Sequence, residues 1–209
     1  MLWVTDVESG KATKLDETIF YPVTYSYQPS WSPDSKWLTF SRVIANNQQA
    51  VFLYELATAK LTQLTDGMSD ASSPAFDKGG KYLYFMASTN AKGSPAWLDL
   101  TALETPNETS SIYMAVLRKD LPSPFLPESD EEAVGEPKKP EKKDEAFRID
   151  LDGIQQRILS VPMPARVYAG VVAGAENAFF TVDTAPQANA SSPGGPPIIR
   201  KFDMGSKKD

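Results

Sequence analysis

The residues with chemical potential in this chain fall into a few groups. Asp150, Asp152 and Gly153 spell D-x-D-G, which opens some calcium loops. Asp34 follows a proline in WSPDSK and could be a ligand. Ser110, Ser111 and Ser123 are possible nucleophiles, and Trp31, Trp37, Tyr82, Tyr84 and Phe85 a possible stacking platform. Glu128 to Glu132 and Lys138 to Lys143 are charge runs that could pair with basic peptides or anions. Asn107-Glu-Thr109 and Asn189-Ala-Ser191 match the glycosylation acceptor pattern.

Each group has a plainer reading. The EF-hand pattern continues with a further Asp or Asn and a Glu at position twelve, which counted from Asp150 is Val161. D-x-D-G therefore reads as a hairpin turn, and Asp34 as a turn-stabilising residue. The serines have neither a general base nearby in sequence nor a G-x-S-x-G elbow. The aromatics recur at repeat positions, which points to core between packed sheets. Both charge runs read as solvated loop, and both acceptor patterns as chance.

Two absences bound the chemistry further. The 209 residues contain no histidine and no cysteine. Histidine-dependent nucleophilic catalysis and disulfides are excluded within them, and zinc sites lose their usual ligands. Catalytic, cofactor-binding and metal residues are accordingly expected to be none. The net charge of -6 speaks against a duplex-binding partner, which would need clustered Lys and Arg. The longest apolar run, Val167 to Ala175, is far short of a membrane-spanning helix, so no membrane insertion is expected. MLWVTDVESG carries Asp6 and Glu8 where a signal peptide would be basic and then apolar.

The elements that must position these residues are repeats. A shift of 45 residues superposes PSWSPDSKWLTF, Pro29 to Phe40, on PAFDKGGKYLYF, Pro74 to Phe85. It places Pro on Pro, Lys36 on Lys81, Trp31 on Phe76, Trp37 on Tyr82, Leu38 on Leu83 and Phe40 on Phe85. A second element, Leu2 to Leu15, repeats as Val51 to Leu64 at a shift of 49. The first element reads as strand, Pro-preset turn, strand. The second reads as a hairpin with strands Val51 to Glu55 and Leu61 to Thr65. Two hairpins in series make a four-stranded antiparallel unit of about 45 residues, the size of a propeller blade.

A third copy is stretched: strand Ser111 to Lys119, then Phe147 to Pro162 as strand, turn, strand. A fourth begins at Tyr168 to Val172, Ala178 to Val182 and Ile198 to Asp203. Three polar segments interrupt the pattern: Thr89 to Thr109, the charged Leu121 to Glu145, and Ala185 to Pro197. The charged one cannot bury enough apolar surface to fold alone. The fold class expected is all-β, a partial β-propeller of about three blades. Its divisions are 1–16 (the end of one blade), 28–65 (a complete blade), 74–162 (a blade with the charged insertion near 121–145) and 168–203 (an incomplete blade). A closed ring needs about four to eight blades. A piece of a larger propeller is therefore expected, with oligomerisation possible.

SWSPDSKWLTF resembles the Pro-Asp variant of the WD-like repeat. That repeat occurs in the Tol-Pal periplasmic propeller, in prolyl-oligopeptidase-type enzymes and in tricorn-type peptidases. The succession YLYFMAST, SIYMAVLRKDLPSPFLPESDEE, a Lys/Pro/Glu run and FRIDLDGIQQRILSVPMPARVYAGVVAG resembles bacterial tricorn proteases more specifically. This resemblance implies a longer protein with propellers, a PDZ-like domain and downstream serine-peptidase domains. There the propellers would gate or scaffold peptide substrates. The family's catalytic Ser, His, Ser and Glu map to no position of this chain. The resemblance implies a cytoplasmic protein, or a periplasmic one given an upstream signal. The alternatives are an interaction propeller of the Tol-Pal type and the propeller cap of a prolyl-oligopeptidase relative.

Overall fold

A computed structural model describes residues 1–17, 27–89, 109–125, 146–175, 177–184 and 195–208. The strands are β1 (Leu2–Thr5), β2 (Ala12–Asp16), β3 (Ser30–Trp31), β4 (Trp37–Val43), β5 (Gln49–Glu55), β6 (Lys60–Gln63), β7 (Asp70–Phe76) and β8 (Tyr82–Ser88). They continue as β9 (Ser111–Val116), β10 (Ile158–Ser160), β11 (Tyr168–Ala173), β12 (Ala178–Asp183) and β13 (Ile198–Asp203). They form four antiparallel sheets: β1–β2, β3–β4–β5–β6, β7–β8–β9–β10 and β11–β12–β13. The chain is an all-β partial propeller.

The repeat fixes the turns. In the first copy the Ser32 hydroxyl donates to Asp34 Oδ1 at 2.7 Å and accepts from the Trp37 N–H at 2.9 Å. Ser35 takes a left-handed φ of 58°. In the second copy Asp77 replaces Ser32, and its Oδ2 accepts from the Lys81 N–H at 3.4 Å. Gly80 sits where Ser35 sits, with φ 70°. A Cβ there would come within 2.8 Å of the Phe147 ring, so this turn needs glycine for space as well.

Alternation along the central strands sends side chains to both faces, and both faces are covered. Leu38 and Phe40 of β4 join Phe52 and Tyr54 of β5 in a cluster against Leu2, Val4 and Leu15 of the β1–β2 pair. Trp37, Val51 and Leu53 meet Phe76, Leu83 and Phe85 in the next layer. Tyr82, Tyr84 and Met114 meet Val171, Phe179 and Phe202 in the third. Tyr84 packs on Phe179 with ring centroids 4.6 Å apart. Sheets thus stack face to face in chain order, as blades do.

The structure corrects the sequence reading in several places. Phe147–Leu151 is not a strand. A 3-10 turn at Ile154–Arg157 follows it, and only Ile158–Ser160 pairs, with β9. The segment is tied to the end of β9 instead: the Asp150 N–H donates to the Leu117 carbonyl at 2.9 Å, and the Arg157 guanidinium donates to the carbonyls of Val116, Asp152 and Asp150. The strand expected over Ser111 to Lys119 ends at Val116, and the one expected over Leu61 to Thr65 runs Lys60–Gln63. Leu121 and Phe125, the first apolar residues of the charged insertion, pack against the third core layer. Trp37, Tyr82, Tyr84 and Phe85 are buried, but Trp31 is 47% exposed. Its repeat partner Phe76 is covered by a four-stranded sheet. Trp31 faces a groove of about 540 Å³ beside the two-stranded β1–β2 pair.

Candidate functional site

The first strands of successive sheets converge. β3 lies against β7, and β7 against β11. Inner strands of a propeller gather in this way around its central channel. A groove of about 350 Å³ runs over this wall, lined by Gln28, Pro29, Ser30, Ser73, Pro74, Ala75, Val171, Val172 and Ala173. The lining carries no charged side chain and nothing larger than glutamine or valine.

The wall is irregular backbone held by hydroxyls. Gln28 and Ser73 occupy equivalent repeat positions and both have left-handed φ, 43° and 54°. Each precedes a proline, Pro29 and Pro74, which makes the conformation strained for a residue with a side chain. At the second site the register of β7 on β8 slips between Ser72 and Ala75, a bulge. Two hydroxyls bridge between sheets. Ser30 Oγ accepts from the Phe76 N–H at 3.3 Å, and Ser73 Oγ accepts from the Val171 N–H at 3.0 Å. Gly170 permits the second bridge: a Cβ on it would sit 3.2 Å from Ser73 Oγ. Sequence reasoning missed these residues. The one local signal was proline recurring at Pro29 and Pro74 ahead of each aromatic.

Charged groups lie away from this wall, in pairs. Asp183 is buried and accepts from Arg200 Nε at 2.7 Å and Arg166 Nη1 at 3.2 Å. Asp16 accepts from Arg42 Nη1 at 2.7 Å, and the Arg42 guanidinium lies 4.4 Å over the Phe52 ring. A third group closes the neck of the charged insertion. Asp120 takes hydrogen bonds from Arg118 and Arg148, and Asp150 accepts from the Lys119 N–H at 2.9 Å. Asp152 pairs with Lys119 Nζ at 3.0 Å. The hydrogen bond from Arg118 holds the Asp120 carboxyl down at about 2, and Lys119 lowers that of Asp152. Burial pushes the Tyr84 and Tyr82 hydroxyls up, with the Asp77 charge adding to it.

The sequence candidates are not brought together. Asp150 and Asp152 are engaged by the neck, and Gly153 has the left-handed φ of 65° that the turn requires. Asp34 caps its own turn through the Lys36 N–H. Ser110 bridges to Arg166 through its backbone, and Ser123 accepts from the Phe125 N–H. Among the described residues no group of Asp and Glu could hold a metal ion. Glu128 to Glu132, Lys138 to Lys143, Asn107 and Asn189 lie outside the described residues.

Antiparallel sheets stacked in chain order, with their first strands converging on one wall, define the class: a segment of β-propeller. Residues 1–209 match the tricorn protease second beta propeller domain, and the chain belongs to that family. It is 22% identical over 179 residues to a putative tricorn-like protease C-terminal subunit of Sulfurisphaera tokodaii, covering 86% of this chain and 19% of that protein. It is 24% identical over 192 residues to tricorn protease homolog 1 of Streptomyces coelicolor, covering 85% and 17%. The chain thus spans less than a fifth of these relatives. The crystal structure of the tricorn protease superposes with a TM-score of 0.67 at 19% identity, over 99% of this chain and 20% of that one. TolB from Acinetobacter baumannii superposes at 0.55 and 15% identity, over 99% and 35%. These two likenesses concern the fold alone. Among the described residues no helix is long and apolar enough to cross a membrane.

Proposed function

We propose that this chain is a non-catalytic gate or scaffold that passes extended peptides to serine-peptidase domains of a longer, cytoplasmic tricorn-like protein. A PDZ-like domain would be among its neighbours. The observation that carries this reading is the wall of β3, β7 and β11. It is neutral and lined by short side chains, which suits passage of unfolded segments irrespective of their charge. Membership of the tricorn propeller family supplies the proteolytic setting.

The test uses the full-length protein that contains this segment. Val172→Arg, at an exposed position of the lining, obstructs the wall. Cleavage of a long unstructured protein should fall severalfold, while cleavage of a short peptide that reaches the active site by itself stays unchanged. Equal loss on both substrates, or loss on neither, overturns the reading. The 209-residue chain alone should hydrolyse no peptide. Turnover that survives repurification would refute a non-catalytic role. A propeller that instead captures one folded partner, as an interaction module would, should bind it with affinity indifferent to Val172→Arg.

A further inference from the structure

Strand edges attract extended peptides, because a row of unpaired N–H and C=O groups templates another strand. β3, β7 and β11 are edge strands of their sheets, and residues of all three line the groove. A gate lined with adhesive edges would retain what it should pass. Three features reduce that adhesion here. Pro29 and Pro74 remove two edge donors, as proline has no N–H. The left-handed Gln28 and Ser73 break the extended backbone needed for pairing. The Phe76 and Val171 N–H groups are already engaged by the hydroxyls of Ser30 and Ser73.

From this geometry, and resting on the peptide-passing role above, we propose that the hydroxyl seam between the inner strands is an anti-adhesive device. It satisfies edge donors from within, so that an extended peptide in the groove finds no ladder to join. Specificity then lies in what the wall refuses: β-addition is refused for all sequences alike. The same hydroxyls fix the spacing of neighbouring sheets, and Gly170 keeps the approach to Ser73 open.

The experiment measures binding of a fluorescein-labelled, proline-free peptide of alternating valine and threonine to the 209-residue chain by fluorescence anisotropy. The parent chain should show no saturable binding. The Ser73→Ala/Pro74→Ala double variant should gain about tenfold or more in affinity, the worth of one or two new backbone hydrogen bonds. That gain should vanish when alternate amides of the peptide are N-methylated. Ser30→Ala, a single hydroxyl removed at the other bridge, should gain less and provides the test if the double variant unfolds. Parent binding as tight as the variants' overturns the proposal. So does no gain in a variant whose near-ultraviolet circular dichroism and cooperative melting are intact. Neither result touches the gate reading, which stands or falls on the long-against-short substrate comparison in the full-length protein.

Discussion

Beside the apolar contacts of Leu2, Val4 and Leu15, an ion pair joins the β1–β2 pair to the neighbouring sheet, and its removal should be measurable. The Asp16 side chain is 5% exposed and that of Arg42 is 24% exposed. Asp16→Asn keeps shape and removes the charge, leaving Arg42 half satisfied. Breaking a fully buried pair costs about 3–5 kcal/mol, and an exposed pair is worth less than about 1 kcal/mol. The partial exposure of Arg42 places the expected loss near 2 kcal/mol. Its stacking over Phe52 survives, which keeps the loss below the buried extreme. For a chain of this size the melting temperature should drop by about 4–8 °C. Asp16 Oδ2 and Arg42 Nε have no hydrogen-bond partner among the described residues, so the pair is imperfectly compensated. The double variant Asp16→Leu/Arg42→Met should therefore return to within about 1 kcal/mol of the parent, methionine retaining contact with the Phe52 ring. Urea titrations of the parent, Asp16→Leu, Arg42→Met and their double variant supply the cycle, with Asp16→Asn measured beside them and the midpoint read at unchanged m. An Asp16→Asn variant within about 0.5 kcal/mol of the parent would refute the argument, because that is the range of an ordinary surface substitution. So would a double variant less stable than Asp16→Asn.

Three further outcomes are expected. Gly80→Ala should cost about 1–2 kcal/mol from its left-handed φ, plus the displacement of Phe147 from 2.8 Å, seen as a lower urea midpoint. Trp31 and Phe76 share a repeat position but differ in cover, at 47% and 3% exposure. Phe76→Ala should cost about 3–5 kcal/mol and Trp31→Ser less than about 1 kcal/mol, by the same titration. The Asp120 carboxyl should titrate at about 2 by NMR, and Arg118→Ala should return it toward 3.8. Its folded value lies below its unfolded one, so its contribution to stability is present above about 3.8 and is lost as the pH falls toward 2.

The sequence reading succeeded where structure is local and repeated. The Pro-preset turn read in the first copy closes through Ser32 and Asp34, and the aromatics beyond it, Trp37 and Phe40, lie on a buried strand. It failed where a distant group overrides a local pattern. Phe147–Leu151 alternates like a strand, yet it meets β9 through single contacts, the Asp150 N–H on Leu117 and the Arg157 side chain on Val116, rather than through a ladder. Trp31 looks like Phe76, but its exposure depends on how many strands stand opposite, which no residue near it encodes. The wall was least legible. Its bridges join Ser30 to Phe76 and Ser73 to Val171, residues far apart in the chain, and a serine hydroxyl leaves no periodic trace. What was visible there was only the recurrence of proline.

The clasp at the neck of the charged insertion has a consequence for how this chain tolerates change. Arg118, Asp120, Arg148 and Asp150 pin the outgoing and returning strands of chain to each other, and Arg157 anchors them to β9. Once two ends are pinned, lengthening what lies between them costs only about 0.6 kcal/mol per doubling. A change in the number of residues between Phe125 and Ala146 should thus cost little stability.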